Sequence, residues 1–409
     1  MYRQSLFLFL IALDITIVHA QSPKMIPVGD HSLEMVQAGT GTYTVIFESG
    51  FGTDYKVWGP VASEIMKKNT VVLYSRAGTG RSAVNPKPQT LENAVHDLST
   101  MIENAGLKPP FILVGHSYGA FLIRAYASLN NDKVKGFVFV DPAHEKLFQE
   151  LKKADPVKAL RDTKLQNSFV PANFQQENEL INAIFDRGVL PDFGKLPVVP
   201  AIVLTSIQTR ANPEFFLHEP KGIEIWRDLH AEFFSQFSNG AHYITSNSGH
   251  NIHREEPHLV IDAIQQVIQL ADKEKQKKAY QEKLIKLDKV FKETITILIQ
   301  DTSKAEKDLA DALNESGLSE KDINAIAYRK MNDPQMFSVA VLLFKYNTLS
   351  NPNSANAYDS YGEALTQQGK LDLAKLQFEK AIRLAEATND ATIINSSKNN
   401  LKKIESMKR

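Results

Sequence analysis

The residues most able to do chemistry lie in FILVGHSYGA, residues 111–120, where an apolar run ends at a glycine-flanked serine. A serine hydroxyl is a weak nucleophile at neutral pH, so it needs a neighbouring base and donors for the charge that develops on a carbonyl oxygen. A tight turn between a strand and a helix would expose Ser117, and Gly115 and Gly119 would relieve the crowding around it. We therefore predict that Ser117 is a catalytic nucleophile, with an ordinary glycine-rich turn as the alternative.

Short apolar runs alternate with helical periodicity from Pro27 to about Leu270, which predicts an α/β domain with a mostly parallel sheet covered on both faces. The first two strands are joined through Gly39-Thr40-Gly41, and we expect them to form an antiparallel hairpin at the sheet edge. The predicted strands are Leu33–Gln37, Thr44–Glu48, Thr70–Tyr74, Phe111–Val114, Gly136–Val140, Ala201–Thr205 and His242–Thr245.

The remaining chain has no strand pattern. Residues 272–300 predict a long amphipathic linking helix, because apolar residues recur every three or four positions. Residues 320–405 repeat with a 34-residue period that resembles the tetratricopeptide repeat, although Tyr328 stands where a small glycine is expected. Such an all-α repeat could dock a protein partner, and a plain helical tail is the alternative.

Composition excludes several classes of function. Forty-seven basic and 47 acidic side chains give a formal net charge of zero, so we expect no nucleic-acid partner. The absence of cysteine excludes disulfides, thiol nucleophiles and zinc–thiolate sites. Residues 1–20 have a basic start, an apolar stretch and a small residue at Ala20, which predicts a cleaved signal peptide and a secreted or periplasmic protein. An uncleaved membrane anchor is the alternative.

Residues 30 to 270 resemble the α/β-hydrolase family through three segments. The serine turn is one; the others are Ser-Gly-Phe-Gly at 49–52, trailed by Trp58, and the loop Arg-Ala-Gly-Thr-Gly-Arg-Ser at 76–82. Ser49, Gly52 and Ser75 depart from the commoner histidine, proline and aspartate of the family. The resemblance implies a serine hydrolase that needs no metal or organic cofactor, with an oxyanion hole formed by the backbone N–H groups of Phe51 and Tyr118.

The same resemblance implies a histidine base after the last strand, where His250 lies in Ser-Gly-His-Asn at 248–251. A metal site is the rival interpretation, because His242, His253 and His258 are close in sequence. A His-x-x-His pair in a loop without nearby acidic or cysteine ligands is a weak metal motif. We therefore predict His250 as the base and place the other three at the surface or behind the site.

The triad acid is less clearly marked. Family members most often carry it after the strand that corresponds to Ala201–Thr205, where this sequence offers no carboxylate. Some members carry it at the end of the preceding strand, where Asp141 lies, so the resemblance implies Asp141 as the acid. It would fix the histidine tautomer and stabilise the imidazolium. A structural aspartate at this turn is the alternative, and the acid would then come from one of four other carboxylates: Glu145, Glu214, Glu219 or Asp228.

Residues 142–197 form a long, mostly helical insertion rich in Phe and Leu. In the family such an insertion commonly forms a lid over an apolar acyl pocket, and a plain amphipathic cover is the alternative. Together these features predict hydrolysis of a small-molecule carboxylic ester or, less readily, an amide. Aminopeptidase or cofactor-free perhydrolase chemistry, and a catalytically inactive binding protein, are the competing hypotheses.

Overall fold

The structure is a computed structural model that describes residues 22–407, so the predicted signal peptide lies outside the described residues. The chain divides into two compact units, with the boundary after Glu274. Within residues 22–407, no helix combines the length and the hydropathy that a membrane span requires.

The first unit contains an eight-stranded sheet in the order β1-β2-β4-β3-β5-β6-β7-β8. The six strands from β3 to β8 run parallel, whereas β2 pairs antiparallel with both β1 and β4. The strands are β1 Lys24–Pro27, β2 Ser32–Ala38, β3 Thr44–Glu48, β4 Thr70–Tyr74, β5 Phe111–His116, β6 Val134–Val140, β7 Ala201–Ser206 and β8 Gly240–Thr245.

The mostly parallel α/β fold is confirmed, but the predicted hairpin between the first two predicted strands is wrong. Those strands are β2 and β3, and they do not pair, because β4 lies between them. The connecting residues pass against the loop before β4: a Cβ on Gly39 would lie 2.3 Å from the carbonyl oxygen of Asn69. Glycine is therefore required by this close approach and by a φ of +73° at Gly39, rather than by a hairpin turn.

Helices cover both faces of the sheet because alternate residues of each strand point to opposite sides. In β5, Phe111 and Leu113 join the core formed with α2 and α3, while Ile112 and Val114 join the core formed with α1 and the start of α9. The helices of this unit are α1 Gly59–Ile65, α2 Leu91–Asn104, α3 Gly119–Leu129, α4 Leu147–Ala154, α5 Pro156–Ser168, α6 Gln175–Arg187, α7 Pro220–Phe234 and α8 Ile252–Glu255.

The described residues of the second unit form helices joined by short turns, with no strand among them. The helix α9 spans Pro257–Leu298, so the unit boundary falls inside it. It is followed by α10 Thr302–Ser316, α11 Glu320–Met331, α12 Phe337–Ser350, α13 Ala355–Gln367, α14 Leu371–Thr388 and α15 Ala391–Met407.

Residues spaced by 34 positions occupy buried sites in two successive helix pairs. Ala340 and Phe344 in α12, and Ala374 and Phe378 in α14, are fully buried. Tyr328 packs edge-to-face on Phe344, with ring centroids 4.9 Å apart. The assignment of these pairs to the tetratricopeptide repeat, and a protein partner for them, stay predictions.

Candidate active site

Ser117 lies on the tight turn between β5 and α3, in a left-handed backbone conformation with φ of +50°. Its backbone N–H donates to the Val140 carbonyl at 3.2 Å, which ties the turn to the end of β6. A Cβ on Gly115 would lie 2.7 Å from Ile123 Cδ1, and one on Gly119 would lie 2.6 Å from the Glu48 carbonyl oxygen. Any larger residue at either position would displace the turn that presents the serine.

Asp141 follows β6 and is almost fully buried, with 2% of its surface exposed. Its Oδ2 lies 2.7 Å from His250 Nδ1, and its Oδ1 accepts from the backbone N–H of Ser206 at 2.8 Å and from Trp226 Nε1 at 2.9 Å. A carboxylate that accepts from two N–H groups of the protein and from an imidazole is held in one orientation. His250 Nδ1 therefore carries the proton of that contact, and Nε2 is left for another partner.

Three of the four alternative acids are paired with other side chains, and the fourth is exposed. Arg124 donates to both oxygens of Glu145, at 2.7 and 3.0 Å; burial alone would raise the pKa of Glu145, but these bonds outweigh it and lower the pKa to about 2. Lys158 Nζ lies 2.6 Å from Glu219 Oε2, and Arg227 lies 2.9 Å from Asp228. Glu214 is exposed. Of the five predicted carboxylates, Asp141 is the one bonded to His250.

His116 supports the backbone of His250. Its Nε2 lies 2.9 Å from the His250 carbonyl oxygen, which can only accept, so Nε2 must carry the hydrogen. Burial, together with the neighbouring imidazoles of His250 and His253, lowers the pKa of His116 well below its ordinary value. A neutral ring on His116 therefore fixes the loop that carries His250.

The other three histidines occupy separate places. His253 is buried between Trp58 and His116, with ring centroids 4.6 and 4.4 Å away, and burial lowers its pKa to about 3. His242 Nε2 lies 2.8 Å from Thr205 Oγ1, and His258 is exposed. Among residues 22–407, no group of three or more His, Asp or Glu side chains is arranged to hold a metal ion.

The predicted oxyanion donors lie on two different loops beside Ser117. Among residues 22–407, the backbone N–H groups of Phe51 and Tyr118 donate to no protein acceptor. The Phe51 ring packs edge-to-face on Phe174, with centroids 6.0 Å apart, and the Tyr118 ring is buried beneath Arg76. Both side chains therefore serve packing, and both amides are free to bind an oxygen.

Residues 49–52, here called the oxyanion loop, are held in part by the side chain of Ser49. Trp58 Nε1 donates to Ser49 Oγ at 3.1 Å, and Ser49 Oγ donates to the Asp54 carbonyl at 3.2 Å. Gly52 has a φ of +64°, a conformation that suits glycine. Serine and glycine at these positions thus keep the loop ordered without the commoner histidine and proline.

A cavity of about 780 Å³ opens over Ser117, and all five predicted site residues line it. Much of its wall comes from the insertion, residues 142–197, whose helices α4, α5 and α6 lie between β6 and β7. The wall is largely apolar, with some polar groups; among its side chains are Phe148, Leu151, Phe169, Ile181, Phe185 and Trp226.

The sequence analysis did not identify three residues that hold this site. Trp226 and Ser206 bind Asp141, and Glu177 binds the oxyanion loop. Trp226 is 85 positions from Asp141 along the chain, and Glu177 is 125 positions from Gly52. The available signals were the rarity of tryptophan, with two in the chain, and an acidic residue within an apolar insertion.

Comparison with known proteins agrees with this architecture. A family model described as the alpha/beta hydrolase fold matches residues 43–181. The uncharacterized protein YqjL of Bacillus subtilis is 29% identical over 239 residues, which is 56% of this chain and 85% of that protein. A human (lyso)-N-acylphosphatidylethanolamine lipase is 31% identical over 102 residues, which is 24% of this chain and 30% of the lipase.

Among solved structures, mouse alpha/beta hydrolase domain-containing protein 10 is 18% identical, with a TM-score of 0.46 over 61% of this chain and 98% of that one. The family match covers β3 to β6, including the serine turn and Asp141, and the sheet continues through β7 to β8, the strand before His250. The chain is therefore a hydrolase whose first unit has the α/β-hydrolase fold.

Proposed function

We propose that this chain is a serine hydrolase that cleaves carboxylic esters, in preference to amides, through an acyl-enzyme. Ser117 is the nucleophile, His250 the base and then the acid, and Asp141 the residue that orients His250. The observation that carries the proposal is the 2.7 Å contact between His250 Nδ1 and Asp141 Oδ2, next to a cavity that Ser117 also lines. These three side chains supply the nucleophile, base and orienting group of a catalytic triad.

In the proposed reaction, Ser117 Oγ attacks the carbonyl carbon of the ester and passes its proton to His250 Nε2. The amides of Phe51 and Tyr118 hold the negative charge that develops on the carbonyl oxygen. His250 then donates this proton to the leaving oxygen, which departs as an alcohol and leaves the acyl group on Ser117. A water molecule that gives a proton to His250 attacks the acyl group. His250 returns this proton to Ser117 Oγ as the carbon–oxygen bond to Ser117 breaks, which releases the acid and restores the free enzyme.

The cavity supports a substrate with a sizeable apolar group. Its volume of about 780 Å³ lies within the range of pockets that enclose drug-sized ligands, roughly 300 to 1,000 Å³. Phe148, Leu151 and Phe185 of the insertion contribute apolar wall. A relative named as a lipase is consistent with ester chemistry, although the chain covers less than a third of its length.

A series of p-nitrophenyl esters from acetyl to dodecanoyl, run beside aminoacyl anilides, tests this proposal. We expect kcat/KM to rise with acyl length beyond acetyl, and the anilides to react much more slowly. His250→Ala should reduce turnover by roughly 10⁴-fold or more, whereas the exposed His258→Ala should leave it unchanged. Equal activity of the wild type and His250→Ala would contradict the proposed base.

We also propose that the protein is exported, because residues 1–20 have the pattern of a secretory signal peptide. The test is expression of the full chain in a bacterium, followed by cell fractionation and N-terminal sequencing. Export predicts a mature chain that starts at Gln21 outside the cytoplasm. An intact Met1 on cytoplasmic protein would contradict export without bearing on the hydrolase chemistry.

A further inference from the structure

Arg76 lies buried beside the oxyanion loop, and its guanidinium donates four hydrogen bonds and forms ion pairs with Glu48 and Glu177. Its Nη1 donates to the Glu48 carboxylate at 2.7 Å and to the Ser49 carbonyl at 2.6 Å. Its Nη2 donates to the Gly50 carbonyl at 2.7 Å and lies 2.8 Å from Glu177 Oε1. Its Nε donates to the same Glu177 oxygen at 2.9 Å.

Glu177 reaches this group from the insertion. It lies in the first turn of α6, with 5% of its surface exposed, and its second oxygen, Oε2, accepts from the backbone N–H of Gly52 at 3.1 Å. One carboxylate therefore holds Gly52 directly and holds Gly50 through Arg76. Phe51, whose amide is the proposed oxyanion donor, is the residue between them.

The contact between Arg76 and Glu177 joins two buried groups of opposite charge. Burial alone would lower the pKa of Arg76, but Glu177 and Glu48 outweigh it and raise that pKa, so the guanidinium stays charged. Without Glu177, the buried Arg76 would lose the acceptor of its Nε–H and one ion-pair partner, and the half-buried Gly52 N–H would lose its acceptor. Glu48 and the carbonyls of Ser49 and Gly50 would still bind Arg76. The direct loss on the loop therefore falls on Gly52, the residue after Phe51.

We propose that Glu177 is a positioning residue: through it, the insertion holds the Phe51 amide in place for the oxyanion. This inference rests on the proposed serine mechanism. The oxyanion hole is then complete only while α6 is docked on the oxyanion loop. The insertion therefore does more than cover the cavity. When it is docked, it holds the Phe51 backbone N–H where this group can donate to the oxyanion of the transition state.

This role predicts an effect on the transition state rather than on substrate binding. Removing a whole oxyanion donor costs roughly 10² to 10³ in kcat, so misplacing one should cost less, about 10- to 100-fold. Glu177→Gln keeps an oxygen that can accept from Gly52 but loses the charge that binds Arg76. We expect its kcat to fall about 10- to 100-fold, with KM changed by less than about threefold.

The experiment compares Glu177→Gln with Glu179→Gln, an exposed carboxylate two residues along the same helix. Each variant is measured for kcat and KM on the best ester, for inhibition by a trifluoromethyl ketone, and for inhibition by a primary alcohol of the same chain length. A trifluoromethyl ketone forms an oxyanion on the serine and so needs the hole, whereas the alcohol carries no oxyanion and binds through its apolar chain. Glu177→Asp is the second variant, because it keeps the charge but is one methylene too short to reach both partners.

We expect the Glu177 variants to lose affinity for the trifluoromethyl ketone by the same factor as kcat, while their affinity for the alcohol, and all properties of Glu179→Gln, stay unchanged. A loss confined to KM, equal losses for both inhibitors, or unchanged kcat in a folded variant would overturn the inference. Should Glu177→Gln not fold, Glu177→Asp decides the question by the same criteria. Failure of the proposed function is distinguishable, since it would appear as ester turnover by wild-type protein that Ser117→Ala does not abolish.

Discussion

The indole Nε1 of Trp226 donates a hydrogen bond to Oδ1 of Asp141 at 2.9 Å, while Oδ2 of the same carboxylate faces His250. The tryptophan thereby links α7 to the end of β6, and its ring also lines the cavity. This one side chain contributes both to the orientation of the proposed triad acid and to the wall that a substrate would touch.

Replacing Trp226 by Phe removes the N–H donor and keeps an aromatic ring. A hydrogen bond to a charged group contributes about 1.5 to 3 kcal/mol, so we expect the free energy of unfolding to decrease by roughly that amount. A loss of about 1.4 kcal/mol in the stabilisation of the transition state corresponds to a tenfold fall in kcat/KM, so we expect a fall of at least this size. Urea unfolding and ester kinetics measure the two effects.

A double-mutant cycle supplies the control for Trp226→Phe. In an Asp141→Asn background, the tryptophan substitution should add little to the loss in kcat/KM, because the two residues act through one contact. Fully additive losses would show that Trp226 acts on the substrate alone.

Asp141→Asn should lower kcat by about 10⁴-fold, the cost of disturbing the histidine tautomer in a serine triad. Its matched control is Asp228→Asn, an exposed carboxylate paired with its neighbour Arg227, which should retain wild-type kcat. Near-normal turnover by Asp141→Asn would move the triad acid to another carboxylate.

Acid should destabilise the first unit through histidines that are buried in the neutral form. Burial lowers the pKa of His230 to about 4 and that of His253 to about 3, below the ordinary value of 6.5. Between pH 6.5 and these lower pKa values, the unfolded chain therefore binds more protons than the folded chain. The contribution of the two histidines to the free energy of unfolding is complete well above pH 6.5 and is lost as the pH falls towards their folded-state pKa values. Each histidine should cost about 2 kcal/mol at pH 5.

Urea unfolding at pH 7 and pH 5 measures this loss. His253→Phe should shrink the difference between the two pH values by about 2 kcal/mol, while exposed His258→Phe should leave it as in the wild type. The same difference in all three proteins would contradict a neutral, buried His253.

Gly362 in α13 should not tolerate a side chain. A Cβ there would lie 2.6 Å from the ring of Phe378 in α14, and both residues are buried. Gly362→Ala should therefore lower the free energy of unfolding of the second unit by about 1 to 3 kcal/mol through overpacking. Exposed Gln367→Ala in the same helix is the control, and equal stability of the two variants would refute the close contact.

The sequence predicts the strand ends well because their signals are local. Ser117 and Asp141 each stand where an apolar run stops, and His250 lies in the loop after β8. Parallel strands bring such ends and the loops after them to one edge of a sheet. Partners across the fold leave no such signal: Arg76 and Glu177 are 101 positions apart, and His116 and His250 are 134 apart. The prediction of a β2–β3 hairpin was wrong for a related reason: an alternating apolar pattern identifies a strand but does not identify the strand that pairs with it.

Trapping the acyl-enzyme tests the central claim most directly. The wild type, Ser117→Ala and His250→Ala are mixed with a p-nitrophenyl ester, quenched in acid within milliseconds and analysed by peptide mass spectrometry. The account predicts an acyl adduct on Ser117 in the wild type, none in Ser117→Ala, and strongly slowed acylation in His250→Ala. Rapid wild-type turnover with the acyl group on another residue, or unchanged acylation of Ser117 in His250→Ala, would contradict it.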